Sequence, residues 1–456
     1  MPRWQGLGIV PPLALSPLPP NRPAVPPLIL VKDARGLLWL QLRAFALTWL
    51  SYATYYFTRK NVAVVKSRLH DELGITAGQL GTFDTAYLIA YAIGQFASGV
   101  LGDRIGPRRL LALGMLGSAA MALWFGVSSS FWPMLLAFAV NGFFQSTGWP
   151  GNVKAMQPFF SASQRGRVMG IWTTNYQAGG LAATALATFL LARFGWRAAF
   201  WVPALLVALV GLTLAALLVE KPQDRGLCPV ETAPAEQPGS QPRAQAQALT
   251  AQTPLWSLAS DPLLLLLGGS YFVLKLIRYS LLFWLPYYLR RHFHYTESQA
   301  GYLSLPFEIG GMFGAVTIGW LSDRYFRTRR LRLAAPALLG LGGAIFAYQV
   351  LGGVSLLANA LLLSAVGFLL FGPDALLSGA VSQEIGGEHA TARVAGVING
   401  MGSVGAIFSP LLVAAVSERL GWSALFYGFA GLTIVASLLL RAALALQVRL
   451  AAEASP

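Results

Sequence analysis

The sequence predicts an all-α membrane protein of twelve transmembrane helices, arranged as two pseudo-symmetric six-helix halves. Three observations carry this expectation. Hydrophobic residues fill 55% of the 456 positions and charged residues only 11%, against about 25% charged in an average soluble domain. The apolar residues gather into twelve runs of about twenty, the length a helix needs to cross a bilayer. Landmarks in the first six runs recur at matching places in the last six. The period-two alternation of a porin is absent, so the spans read as helices that satisfy their own backbone.

In chain order, the Pro-rich residues 1–32 come first and read as a disordered tail. Their apolar run Ala24–Val31 is too short and too Pro-broken for a signal sequence. The N-terminal bundle, 33–220, holds spans at 38–60, 77–101, 109–128, 132–156, 167–193 and 196–219. Residues 221–255 are rich in Pro, Gln, Ala and Glu and read as a flexible cytoplasmic linker. The C-terminal bundle, 256–447, holds spans at 262–289, 299–321, 331–352, 355–380, 394–416 and 422–446, and 448–456 form a cytoplasmic tail.

The halves repeat each other. Gly102-Asp103-Arg104 after span two is answered by Ser322-Asp323-Arg324 after span eight. Arg167-Val168-Met169-Gly170 opens span five and Arg393-Val394-Ala395-Gly396 opens span eleven, while Gly195-Trp196 is answered by Gly421-Trp422. Two parallel halves of this kind place a ligand pocket between them at the bilayer midplane.

Most of the basic residues behind the formal charge of +15 sit in short loops between apolar runs. Arg104, Arg108 and Arg109 lie between spans two and three, Arg165 and Arg167 between four and five, and Arg324, Arg327, Arg329, Arg330 and Arg332 between eight and nine. Loops three–four and nine–ten carry no basic residue, so the even-to-odd loops and both termini are expected in the cytoplasm. Arg68 and Arg290-Arg291 run against this pattern. A topological origin for the basicity argues against nucleic acid as a partner. Cys228 stands alone, which excludes an intramolecular disulfide or a thiolate cluster. No metal ligand set, cofactor motif or Walker A sequence is present, and no nucleophile–base constellation suggests an enzyme.

Two arginines stand at the centre of the functional reading. Arg59 lies late in span one and Arg278 well inside span seven, at equivalent places in the two halves. An arginine inside a span is costly unless it faces a wet cavity or a counter-charge. One from each half, converging on a central pocket, suits a phosphate, which guanidinium grips through paired hydrogen bonds. Tyr52, Tyr56 and Arg59 fall on one helical face. Asp103 with Arg104, and Asp323 with Arg324, read as charge latches that hold the halves together in one state and release them in another.

The run Tyr55-Tyr56-Phe57-Thr58-Arg59-Lys60-Asn61 resembles the span-one signature of the organophosphate:phosphate antiporters of the major facilitator superfamily. Gly148-Trp149-Pro150 with Lys154, Arg278-Tyr279 with Trp284, and Phe307-Glu308 with Gly310-Gly311 resemble further signatures of that family, over about 38–445. The resemblance implies an exchanger of a phosphorylated metabolite for inorganic phosphate; a monomer is the expectation of the fold, and the absence of any N-x-[ST] sequon points to a bacterial inner membrane. Arg59 and Arg278 would then hold the phosphoryl group. Tyr52, Tyr56, Tyr176 and Lys154 would be further substrate contacts. Tyr176 stands where the glycerol-phosphate branch has a histidine, and Phe283 where relatives often have an aspartate.

Lys275 and Asp374 leave two readings open. Lys275 is a third cation for a more highly charged substrate, or Asp374 neutralises it across the cavity and the pair acts as a gate. Asp84 or Glu308 could carry a proton, which keeps a proton-coupled carrier of another organic anion as an alternative beside a sugar-phosphate sensor on the same fold; Glu308 reads as a partner for a nearby cation or tyrosine, and Asp84 has no clear assignment.

Overall fold

A computed structural model describes residues 31–227, 260–326 and 329–453. Most of the Pro-rich tail, Arg327, and the linker from Cys228 onward lie outside the described residues, as do the side chains of Arg165, Arg167 and Arg393.

Every regular element among the described residues is helical. Eight helices are each long and apolar enough to cross a membrane: Ala77–Ile105, Pro107–Val127, Ala198–Leu217, Pro262–Phe293, Leu331–Leu351, Leu356–Gly379, Val394–Arg419 and Gly421–Arg449. They are spans two, three, six, seven, nine, ten, eleven and twelve. The other four crossings are helices in two pieces. Val31–Tyr55 with Asn61–Leu73 forms span one, Phe131–Gln145 with Gly148–Met156 span four, Ala162–Trp172 with Thr174–Phe194 span five, and Glu297–Leu303 with Leu305–Tyr325 span eight.

Span one differs from the sequence expectation. It ends at Leu73 rather than near 60, where Gly74 caps it in the left-handed conformation with φ 65°. The stretch from Arg59 to Lys66 carries three cations, yet it continues the helix because groups inside the bundle engage each of them: carboxylates for Lys60 and Lys66, and neutral side chains for Arg59. Arg59 therefore stands mid-span.

The break at Tyr56–Thr58 contains neither Pro nor Gly. Span four causes it. Gln145 Nε2 donates to the Tyr55 carbonyl at 3.0 Å, and Asn141 Nδ2 to the Thr58 carbonyl at 2.8 Å. These amides replace the helix bonds lost at the break, which an apolar bundle could not otherwise sustain. Close approach is permitted nearby by Gly179 of span five, where any Cβ would collide with the Ala53 carbonyl of span one.

The packing repeats between halves. Spans one and five, two and four, and three and six pair in the first half; seven and eleven, eight and ten, and nine and twelve pair in the second. The halves meet through one with seven, two with eleven, and five with eight. Much of this contact lies toward the end opposite loops two–three and eight–nine. There Gly81 packs on the Pro410 carbonyl and Gly301 on Thr188. Arg68 bonds Glu297, Asp71 bonds Arg290 at 3.2 Å and also Arg291, and Arg290 approaches Glu297 at 3.6 Å. These pairs account for the arginines that broke the loop-charge pattern: each is balanced by an acidic partner.

At the other end the aspartates of the expected charge latches pair within their own halves in the described conformation. Asp103 pairs with Lys154 at 2.5 Å and Asp323 with Arg330 at 3.0 Å, each inside its own half. Arg104 and Arg324 have no carboxylate within 4 Å among the described residues. Side chains adjacent in a helix diverge, so each Asp is reached from another helix, span four for Asp103 and the start of span nine for Asp323, rather than by its neighbour. With these pairs internal and the opposite end sealed by cross-half pairs, the described conformation faces the basic-loop end.

Candidate functional site

The break in span one aims Arg59 at the bundle axis. Its Nε donates to Gln145 Oε1 at 2.9 Å, and Tyr87 donates its hydroxyl to the same oxygen at 2.9 Å. Gln145 is oriented without ambiguity, because its nitrogen faces the Tyr55 carbonyl. The guanidinium lies over the rings of Tyr56, Tyr91 and Tyr87 at 4.7, 5.2 and 5.7 Å. Among the described residues no carboxylate comes within 4 Å of it. Arg59 is thus held by neutral groups and keeps its full charge for an anion. Gln145 and Asn141 escaped the sequence reading, although two amides at i and i+4 inside span four were the available signal.

Arg278 is set differently. Its Nη1 donates to Asp374 Oδ2 at 2.5 Å, and its guanidinium lies 4.4 Å from the Phe371 ring centre. Lys275 Nζ approaches Asp374 Oδ1 at 3.4 Å. One carboxylate therefore serves both cations of span seven. Asp374 follows Pro373 and precedes a π-turn at Leu376–Ala380. The neutralising role foreseen for Asp374 extends to Arg278 as well as Lys275.

The two arginines line one central cavity of about 150 Å³, with Tyr52, Tyr56, Tyr176 and Glu308. Lys60 bonds Glu308 there, joining span one to span eight across the halves. Lys66 and Asp84 form a fully buried pair further along span one. Lys66 also donates to the Phe283 carbonyl at 2.9 Å and lies 4.0 Å from the Trp284 ring centre, so it ties the first half to span seven. Asp84 had no assigned partner because the sequence reading ended span one before Lys66. Lys154 is not at the cavity. It lies at the basic-loop end, on Asp103 and the Gly102 carbonyl.

The charges around the cavity are countable. Arg59, Lys60, Arg278 and Glu308 line it, and Asp374, bonded to Arg278, brings Lys275 into the same cluster; together these six groups leave two positive charges. A basic cavity to which each half contributes an arginine is suited to a dianion presented from either side.

Comparison with known proteins bears on this geometry. The family model of the Major Facilitator Superfamily matches residues 48–410. Sugar phosphate exchanger 3 of Xenopus laevis is 32% identical over 457 residues, covering 85% of this chain and 89% of that protein. The chain belongs to the organophosphate:phosphate antiporter family of the major facilitator superfamily. The glucose-6-phosphate exchanger SLC37A2 of Bos taurus is 29% identical, with 88% and 94% of the two chains covered. A solved bacterial homologue of the lysosomal transporter Spinster, inward-facing and unoccupied, superposes with a TM-score of 0.69 at 17% identity, over 89% of this chain and 96% of that one. That likeness shows the superfamily fold. This antiporter-family member is a multi-pass membrane protein, and its antiporter fold brings Arg59 and Arg278 together from positions 219 apart in the chain.

Proposed function

We propose that the protein exchanges a phosphorylated organic metabolite for inorganic phosphate by alternating access. The observation that carries this is the single cavity into which each half contributes one arginine. Phosphate entering from the basic-loop end reaches Arg59 first as the unpaired cation, then draws in Arg278 from the other half. Its charge replaces solvent for both guanidinium groups and lowers the barrier to rocking. The basic loops orient the open end toward the cytoplasm of a bacterial cell, with both termini on that side. The names of the relatives, which handle sugar phosphates, support the substrate class.

Proton coupling is disfavoured. Asp84, Glu308 and Asp374, the carboxylates that the sequence places inside spans two, eight and ten, each hold a cation. A membrane enzyme is disfavoured as well: the residues around the cavity bind anions and offer no nucleophile with a base. Monomeric protein suffices for this cycle.

The test is counterflow into proteoliposomes loaded with phosphate. Labelled phosphate accumulates through the wild-type protein and is displaced by phosphate monoesters, while Arg278→Lys abolishes accumulation. Correctly folded protein that moves no phosphate refutes the reading.

A further inference from the structure

Asp374 has a feature that Glu308 lacks. Glu308 pairs with Lys60 across the halves, so rocking pulls that pair apart. Asp374 and both of its partners, Lys275 and Arg278, belong to the second half. If each half rocks as a rigid body, the three stay together whichever side is open. The carboxylate therefore sets the charge of the site throughout the cycle rather than gating it.

We propose that Asp374 is the specificity-determining residue of the cavity: by holding Lys275 and Arg278 together it trims the site to two positive charges and selects doubly charged phosphate monoesters over triply charged phosphorylated acids. This inference rests on the exchange function proposed above.

The physical argument is charge matching. The dianionic form of inorganic phosphate and the dianion of a neutral sugar's phosphate ester each bring two negative charges, so either one leaves the loaded cavity neutral. Both loaded forms then face the same electrostatic barrier, which coupled exchange requires. A phosphorylated carboxylic acid brings a third charge, and that charge is left uncompensated in a poorly solvated site. Lys275 would answer it, but Asp374 already engages Lys275 at 3.4 Å. The asymmetry of the arginines fits: among the described residues Arg59 has only neutral partners, while Arg278 shares its anion with Lys275.

The experiment measures competition against labelled phosphate in phosphate-loaded proteoliposomes, using glucose-6-phosphate and 3-phosphoglycerate. The wild-type protein is expected to favour glucose-6-phosphate by tenfold or more. Asp374→Asn raises the site to three positive charges and moves the ratio toward 3-phosphoglycerate by roughly thirtyfold, the worth of one unit charge about 8 Å away at an effective dielectric near 20. Adding Lys275→Gln to that variant restores two charges and the wild-type ratio, a rescue that a merely structural aspartate would not show. A wild-type protein that prefers 3-phosphoglycerate overturns the inference, and this needs no variant to fold. Phosphate exchange with a ratio unmoved in Asp374→Asn overturns it alone. Absence of phosphate exchange in the wild type overturns the proposed function together with it.

Discussion

Gln145 offers a sharp test of how the site is built. Its oxygen accepts from Arg59 and Tyr87, both at 2.9 Å, and its nitrogen donates to the Tyr55 carbonyl at 3.0 Å and to Thr58 Oγ1 at 2.9 Å. Gln145→Glu keeps the shape and gives Arg59 the carboxylate it lacks. Two unit charges at that separation attract with about 6 kcal/mol at an effective dielectric near 20. Desolvating the carboxylate and orphaning the Tyr55 carbonyl return roughly half of this, leaving about 3 kcal/mol with which phosphate must compete. The KM for phosphate in counterflow should rise about a hundredfold. Gln145→Leu removes a hydrogen bond to a charged group but adds no charge, so about 1.5 kcal/mol and a tenfold rise are expected. Thermal unfolding in detergent checks that both variants fold. If Gln145→Glu holds its KM within threefold of the wild type, Arg59 is not the open anion receptor and the two-arginine site is refuted.

Three further outcomes follow from the structure. Lys66→Met leaves Asp84 charged and unpartnered in the bundle, and should lower stability by about 3–5 kcal/mol in unfolding experiments; combining it with Asp84→Leu should recover most of that loss. Gly81→Leu pushes a side chain into the seam between spans two and eleven, where even a Cβ would sit 2.8 Å from the Pro410 oxygen. The sealed end then cannot close fully, and maximal exchange should drop about tenfold with the KM for phosphate unchanged; a raised KM with normal maximal exchange would contradict this. Lys154→Ala, at the basic-loop end, should leave the KM for phosphate within twofold, whereas a tenfold rise would return Lys154 to the substrate.

Residues that explain themselves locally were legible in advance. Arg278 inside an apolar run announces a cavity, and the recurrence of Asp103 and Asp323 after spans two and eight announces a repeat. Tyr52, Tyr56 and Arg59 share a face by helical spacing alone, and the structure places all three at the cavity. Residues whose meaning depends on a distant partner were not legible. Glu308 carried no mark of Lys60, 248 positions away. Lys154 follows the Trp149-Pro150 pair by one helical turn, and only packing shows that it reaches Asp103.

The sequence by itself determined the twelve-span architecture, its two halves and the presence of a cationic centre. Hydrophobic run length, loop charge and repeated landmarks are properties of the chain read in order, and a bilayer enforces them segment by segment. The tertiary structure decided where span one ends, which cations are neutralised and which remains open. Those depend on partners brought together across the bundle. In a low-dielectric interior, a charge is set by whichever opposite charge or amide the packing places within about 3 Å of it. That is why Arg59, beside Gln145, keeps a free charge, while Arg278, beside Asp374, does not.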